Sequence, residues 1–182
     1  MARIYLVRHG RAAAGWDSDV DPGLDQTGRL EAQAAAASLA SLGPLRLLTS
    51  PLRRTRETAS AFERQWLTSA IVEPRMAEIP SPVADLKARG EWLKKIMADR
   101  WVNLGPELTA WRTSVRDALL EISQDAVIAT HFVAINVAVG WATNDDRVMI
   151  FRPANGSLTV FEHDGQTLKL LRLGQEGESR IL

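Results

Sequence analysis

The sequence contains no cysteine, and this absence removes disulfides, thiolate metal sites and a cysteine nucleophile from consideration. It also lacks an excess of charge of either sign. Lys and Arg together number 22 and so do Asp and Glu, so the formal net charge is zero. A neutral chain presents no bulk positive field to nucleic acid or to an anionic membrane, and neither is expected as a partner. Any anion site must then be a local cluster of arginines. Long apolar runs are missing as well. No window is apolar enough to span a bilayer, and the N-terminal apolar run is only four residues long before Arg8. A cytoplasmic location is the expectation. Repeats and low-complexity linkers are absent too.

What is present fits an ordinary globular chain. It has 182 residues, 46% hydrophobic and 24% charged, which is enough for one domain, 1–182, with a proper core. The most informative stretch is Ile4-Tyr5-Leu6-Val7-Arg8-His9-Gly10. Its apolar part is too short for a helix and reads as a buried strand. The strand ends by delivering a permanent cation, an imidazole and a glycine that lets a ligand or another backbone come close.

Further along, Leu24 to Gly43 is alanine-rich and stops at Gly-Pro, predicting a helix with Asp25 as its N-cap. Leu45–Thr49 reads as a strand. Ser50-Pro51 predicts a cap and first helical residue for a helix to about Leu67. Ala70–Glu73 reads as a strand and Met76–Asp85, rich in proline, as an irregular loop. Lys87–Arg100 and Glu107–Ile122 read as helices, Ala126–Thr130 as a strand, and Phe132 to Ala142 as an apolar helix. Ser157–His163 and Thr167–Leu173 flank Asp164-Gly165, a hairpin signal. The order predicts an α/β fold: three layers, α/β/α, with a mostly parallel central sheet and a C-terminal β-hairpin.

Three predicted strands end in residues suited to one chemistry: Arg8-His9, Ser50-Pro51-Leu52-Arg53-Arg54, and Thr130-His131. Ligands of open α/β sheets bind outside the carboxyl ends of the strands, so Arg8, His9, Arg54 and His131 can converge on one crevice. Guanidinium groups match phosphate oxygens bidentately, and a helix N-terminus adds a positive dipole end. Phosphoryl transfer asks for this kind of positioning and charge.

These residues also carry a resemblance. Leu6-Val7-Arg8-His9-Gly10, Leu24 to Ala32, Ser50-Pro51-Leu52-Arg53-Arg54-Thr55-Arg56-Glu57-Thr58-Ala59 and Ala129-Thr130-His131 resemble the motifs of the histidine phosphatase superfamily, the phosphoglycerate mutase-like proteins. Pro153 to Val160 also looks familiar, and order and spacing fit nearly the whole chain. The resemblance implies a phosphoglycerate mutase-like fold and a phosphohistidine formed on His9. Arg8, Arg54 and His131 would hold the phosphoryl group, and Glu78, in the loop after the third strand, would be the proton donor. Glu73 and Asp85 are the alternatives for that acid. Gly10, Arg11 and Phe132 are candidate substrate-binding residues, and no metal or other cofactor is implied. His9 must present a neutral nitrogen, with its other ring nitrogen donating to a backbone carbonyl.

Two departures bear on the substrate. Many members carry Ser or Thr where this chain has Ala12, and mutases carry an Asn near the position of Gly15. Phe132 stands where many have glycine. The expected function is therefore metal-independent hydrolysis of a small phosphorylated metabolite. Dephosphorylation of phosphohistidine proteins, mutase-type transfer and a non-catalytic phosphate-binding module are the alternatives. Arg53 and Glu57 are spaced for a surface pair. The basic stretch from Lys87 to Arg100 reads as a solvated face or as a substrate lid. Trp16 is a candidate for the pocket mouth, the other tryptophans for the core, and His163 for an exposed turn.

Overall fold

The structure is a computed structural model, and residues 1–15 and 18–177 are described. Trp16 lies outside the described residues. Six strands form one sheet: β1 (Ala2–Arg8), β2 (Arg46–Thr49), β3 (Ile71–Val72), β4 (Ala126–Thr130), β5 (Leu158–His163) and β6 (Leu168–Arg172). Their order is β3-β2-β4-β1-β5-β6. The pairs β3-β2, β2-β4 and β4-β1 are parallel, whereas β1-β5 and β5-β6 are antiparallel. β4 is buried along its whole length. That is why Ala-Val-Ile-Ala-Thr shows no alternation: helices cover both faces of a parallel centre.

Alternate strand residues feed two separate cores. Ile4, Leu6, Leu48, Ile128 and Phe161 point to one face, where α3 (Leu86–Met97), α4 (Pro106–Leu120) and α5 (Phe132–Thr143) pack. Tyr5, Val7, Leu47, Val127 and Val160 point to the other, under α1 (Gln26–Ser38) and α2 (Arg53–Trp66). α5 is buried over Phe132–Gly140, which explains its apolar sequence. The three-layer expectation holds. Among the described residues no helix is long and apolar enough to cross a membrane.

Several elements differ from expectation. α1 ends at Ser38, and a short 3-10 turn over Ala40–Leu42 follows. Asp25 caps α1 as expected, accepting from Gly28 N–H at 2.7 Å. α2 starts at Arg53 rather than Pro51, because Leu52 is extended and Ser50 is engaged elsewhere. β3 shrinks to two exposed residues at the sheet edge, cut off by Pro74. His163 is buried, not exposed: its Nδ1 accepts from Gly165 N–H at 3.1 Å as the hairpin turns. Gly165 makes that turn with φ +93°. Trp101 is buried, and Trp66, Trp92, Trp111 and Trp141 are half-buried.

The segment after β1 packs unusually close to α1. A Cβ on Gly10 would collide with the Gly28 carbonyl, and one on Gly28 with the Arg11 carbonyl. These two glycines let the residue after His9 lie flat on the first turn of a helix. Gly10 thus serves backbone packing against α1. Gly28→Ala is expected to destabilise the chain by about 1–3 kcal/mol through overpacking. Urea unfolding would show it as a lowered midpoint with an unchanged slope.

Candidate active site

The parallel register sets the site. Arg8 pairs with Thr130 and Thr49 with Ala129, so β1, β2 and β4 end at the same level. Two backbone bonds lock the next residues: His9 N–H donates to Thr130 O at 3.0 Å, and Ser50 N–H to Ala129 O at 3.1 Å. His9, Ser50 and His131 therefore leave the sheet side by side. The rings of His9 and His131 stand edge to face, 5.2 Å apart.

His9 is 4% exposed. Its Nδ1 lies 2.8 Å from the carbonyl of Gly10. A carbonyl only accepts, so Nδ1 carries the proton and Nε2 is left as the nucleophilic nitrogen. Arg54 Nε donates to that Nε2 at 3.3 Å. The backbone of His9 is held from behind as well. Asn155 Nδ2 donates to its carbonyl at 2.9 Å, and Thr58 Oγ1 accepts from Gly10 N–H at 3.1 Å.

Both arginines of the cluster are 2% exposed. Arg8 donates to Pro153 O at 2.8 Å and stacks over Phe132, 5.1 Å from the ring centroid. Its Nε is buried without a partner among the described residues. Arg54 faces one half-exposed carboxylate, Asp21, at 3.9 Å. Burial lowers both guanidinium pKa values, that of Arg8 to about 10, so both remain charged at neutral pH.

Glu78 reaches this cluster from the loop after β3. Its carboxylate accepts from Val133 N–H at 3.1 Å, in the first turn of α5, and from Ile79 N–H at 3.0 Å. Burial pushes its pKa up, against those backbone donors and the fields of Arg54 and Arg8. The two alternative acids are committed elsewhere. Glu73 is bound to Arg75, and Asp85 caps α3 through Ala88 N–H.

His9 and His131 both have pKa values well below the ordinary one. Burial is the first cause; Arg54 and Arg8 add to it, and for His131 so does His9. Both rings are neutral in the folded chain at pH 7. The sign for stability follows. A depressed folded pKa gives stability that is present above the unfolded value near 6.5 and lost as pH falls below it. Each histidine is expected to remove about 1 kcal/mol between pH 6.5 and 5.5. Urea denaturation across that window would show the decline.

The other expected residues have different partners or roles. Arg11 donates to Asp25 at 2.6 Å and to Thr27 at 3.0 Å, so it is spent on the start of α1. Phe132 is 2% exposed and serves as the platform under Arg8. Arg53 pairs with Glu57 at 2.8 Å on the surface, as its spacing predicts, and Arg56 is exposed. Lys87, Lys94, Lys95 and Arg100 are exposed. Sequence reasoning missed the supporting side chains Ser50, Thr55, Thr58 and Asn155. Their signal was presence inside the same motif segments as the charged residues.

Comparison with known proteins agrees with this fold. The sequence pattern of the histidine phosphatase superfamily (branch 1) matches residues 4–176. A probable phosphoglycerate mutase GpmB of Erwinia tasmaniensis is 27% identical, over 90% of this chain and 86% of its own. Among solved structures, YhfR of Bacillus stearothermophilus superposes with a TM-score of 0.77 at 18% identity, covering 94% of this chain and 96% of its own. A phosphoserine phosphatase of Entamoeba histolytica, in complex with 3-phosphoglyceric acid, gives 0.76 at 18% identity, with 98% of each chain covered. With a family pattern running from the first strand to beyond the terminal hairpin, the chain belongs to the histidine phosphatase superfamily (branch 1).

Proposed function

We propose that this chain is a metal-independent phosphatase that hydrolyses small phosphomonoesters through a phosphohistidine on His9. One observation carries the reading: two buried arginines surround a neutral imidazole whose Nε2 is free of its proton. Burying two cations is costly unless an anion shares their site. In this reading His9 Nε2 attacks phosphorus and the ester oxygen leaves. Arg8, Arg54 and His131 hold the phosphoryl oxygens. Glu78, with its raised pKa, gives its proton to the leaving oxygen. The Glu78 carboxylate then takes a proton from water as that water attacks phospho-His9, releasing phosphate and restoring the acid. Phosphoryl transfer draws on such positioning and charge rather than on further covalent chemistry.

The substrate class rests on analogy. The Entamoeba structure is named for phosphoserine phosphatase and holds 3-phosphoglyceric acid. A mutase is the second reading, favoured by the name of the Erwinia relative. Ala12 and Gly15 oppose it, because both remove polar groups that would hold the rest of a bisphosphate.

The test is phosphate release from a panel of phosphoesters in EDTA, with acid-quench trapping of labelled enzyme. Release with a labelled, acid-labile histidine supports the reading. Isomerisation of phosphoglycerate without net release selects the mutase. Cleavage of phosphohistidine protein alone selects a protein phosphatase, and phosphate binding without turnover a binding module. The role of Glu78 has its own signature. Its raised pKa keeps the donor protonated to higher pH, and kcat is expected to fall as pH rises through that value. Glu78→Gln is expected to lower kcat by about a hundredfold and to remove that limb of the profile, most visibly with poor leaving groups.

A further inference from the structure

Ser50 was expected to cap α2, but its hydroxyl is turned to His131. Ser50 Oγ lies 2.7 Å from His131 Nε2 and 2.7 Å from Thr55 Oγ1. Leu52 N–H donates into the same oxygen at 3.3 Å. Thr55 Oγ1 also lies 2.7 Å from Leu52 O and 3.2 Å from Ser50 O. Ser50, Thr55 and His131 are all fully buried, so no solvent enters this chain of contacts.

Each hydroxyl has one proton, which orders the chain. Thr55 faces two carbonyls that can only accept, so its proton goes to Leu52 O. The close contact with Ser50 then needs the proton of Ser50, which is donated to Thr55 Oγ1. With that proton committed, the contact between Ser50 and His131 needs a proton from the ring. His131 is therefore protonated on Nε2 and bare on Nδ1. That Nδ1 is buried and has no hydrogen-bond partner among the described residues.

We propose that Thr55 and Ser50 are positioning residues that fix the Nε2–H tautomer of His131 and make its Nδ1 the atom that accepts a proton from a bound phosphate. This deepens the phosphatase reading and rests on it for the ligand. A bare lone pair repels a fully ionised phosphate oxygen. A phosphate monoanion instead gives its P–O–H proton to Nδ1, so the phosphate becomes a dianion and His131 an imidazolium donating from both nitrogens. The groups facing the ring are Arg8 and the neutral His9 from the end of β1 and Arg54 from α2, and Glu78 lies at the first turn of α5. The arginines oppose protonation until a dianion offsets them. The tautomer thereby selects the protonation state in which phosphate binds.

Three histidines make the ring nitrogens tractable by 15N NMR. His9→Ala and His163→Gln assign the His131 signals in the otherwise intact chain. The wild type is expected to show Nε2–H and a bare Nδ1. Thr55→Val frees the Ser50 proton to turn toward His131 and is expected to reverse the tautomer, whereas Thr55→Ser keeps it. Ser50→Ala removes the acceptor and is expected to abolish the preference and lower kcat/KM by about ten- to a hundredfold, the size of loss known for outer partners of metal-bound imidazoles. Saturating inorganic phosphate is expected to protonate both nitrogens.

An Nδ1–H tautomer in the wild type, or an unchanged tautomer in Thr55→Val, would overturn the proposal. A singly protonated His131 at saturating phosphate would overturn its second half. The tautomer is read without turnover. An inactive chain with the Nε2–H tautomer therefore contradicts the phosphatase reading while leaving the relay standing.

Discussion

His9→Ala is expected to lose phosphate release by about ten-thousandfold or more and to give no trapped phosphoenzyme, because the nucleophile cannot be replaced by charge alone. The cluster proposed to hold the anion remains: Arg8, Arg54 and His131 come from β1, α2 and the start of α5. Inorganic phosphate should therefore still bind the variant. That combination, intact binding with lost turnover, separates a nucleophile from a residue that holds the site together. The variant gives up the ring contact with His131 and its bond from Arg54, so its midpoint in urea is expected to drop. A variant that releases phosphate within tenfold of the wild type would remove His9 from the chemistry.

Arg54 is expected to show the second-largest loss. Its Nε donates to His9 Nε2 while its Nη1 faces Asp21. In the proposed mechanism one planar group thus orients the nucleophile and stabilises the charge that develops on phosphorus. Arginines in that role contribute on the order of a thousandfold to kcat. Arg54→Ala should lose about that factor in kcat/KM. Arg54→Lys should recover little of it, because an ammonium cannot donate to His9 and to phosphate in a fixed fork. The neighbours supply the contrast. Arg53 is paired with Glu57 on the surface and Arg56 is exposed, so alanine at either should change kcat/KM by less than about twofold. Equal losses at all three positions would mean that the helix, not the one buried guanidinium, is what matters.

The positions of these residues were legible to different degrees. The three central strands announced themselves, because Ile4–Val7, Leu45–Thr49 and Ala126–Thr130 are short apolar runs bounded by charge or turns. Asp164-Gly165 marked its hairpin, and Asp25 its helix start. Ends were less legible. Ser50-Pro51 carries the local signature of a helix cap, yet the helix begins later, because Leu52 is extended and the Ser50 hydroxyl meets His131 at the start of α5. His163 looked like a turn residue and is buried, because the ring folds back on its own hairpin. Arg11 sat inside the strongest motif and is nonetheless spent on Asp25 and Thr27.

What the sequence by itself determined is the set of strands and helices and the identity of the charged residues at the strand ends. Local hydropathy and turn chemistry are read within a few residues, and strand ends face one crevice in any parallel sheet. Only the tertiary structure decided which of several adjacent arginines is buried, which carboxylate meets the start of α5, and which polar neighbours each histidine ring meets. Those outcomes depend on burial and on partners distant in sequence: Pro153 for Arg8, Val133 for Glu78, Ser50 for His131. A charge in water and the same charge in the core differ by the solvation they lose, and that loss is set by packing rather than by the neighbouring letters.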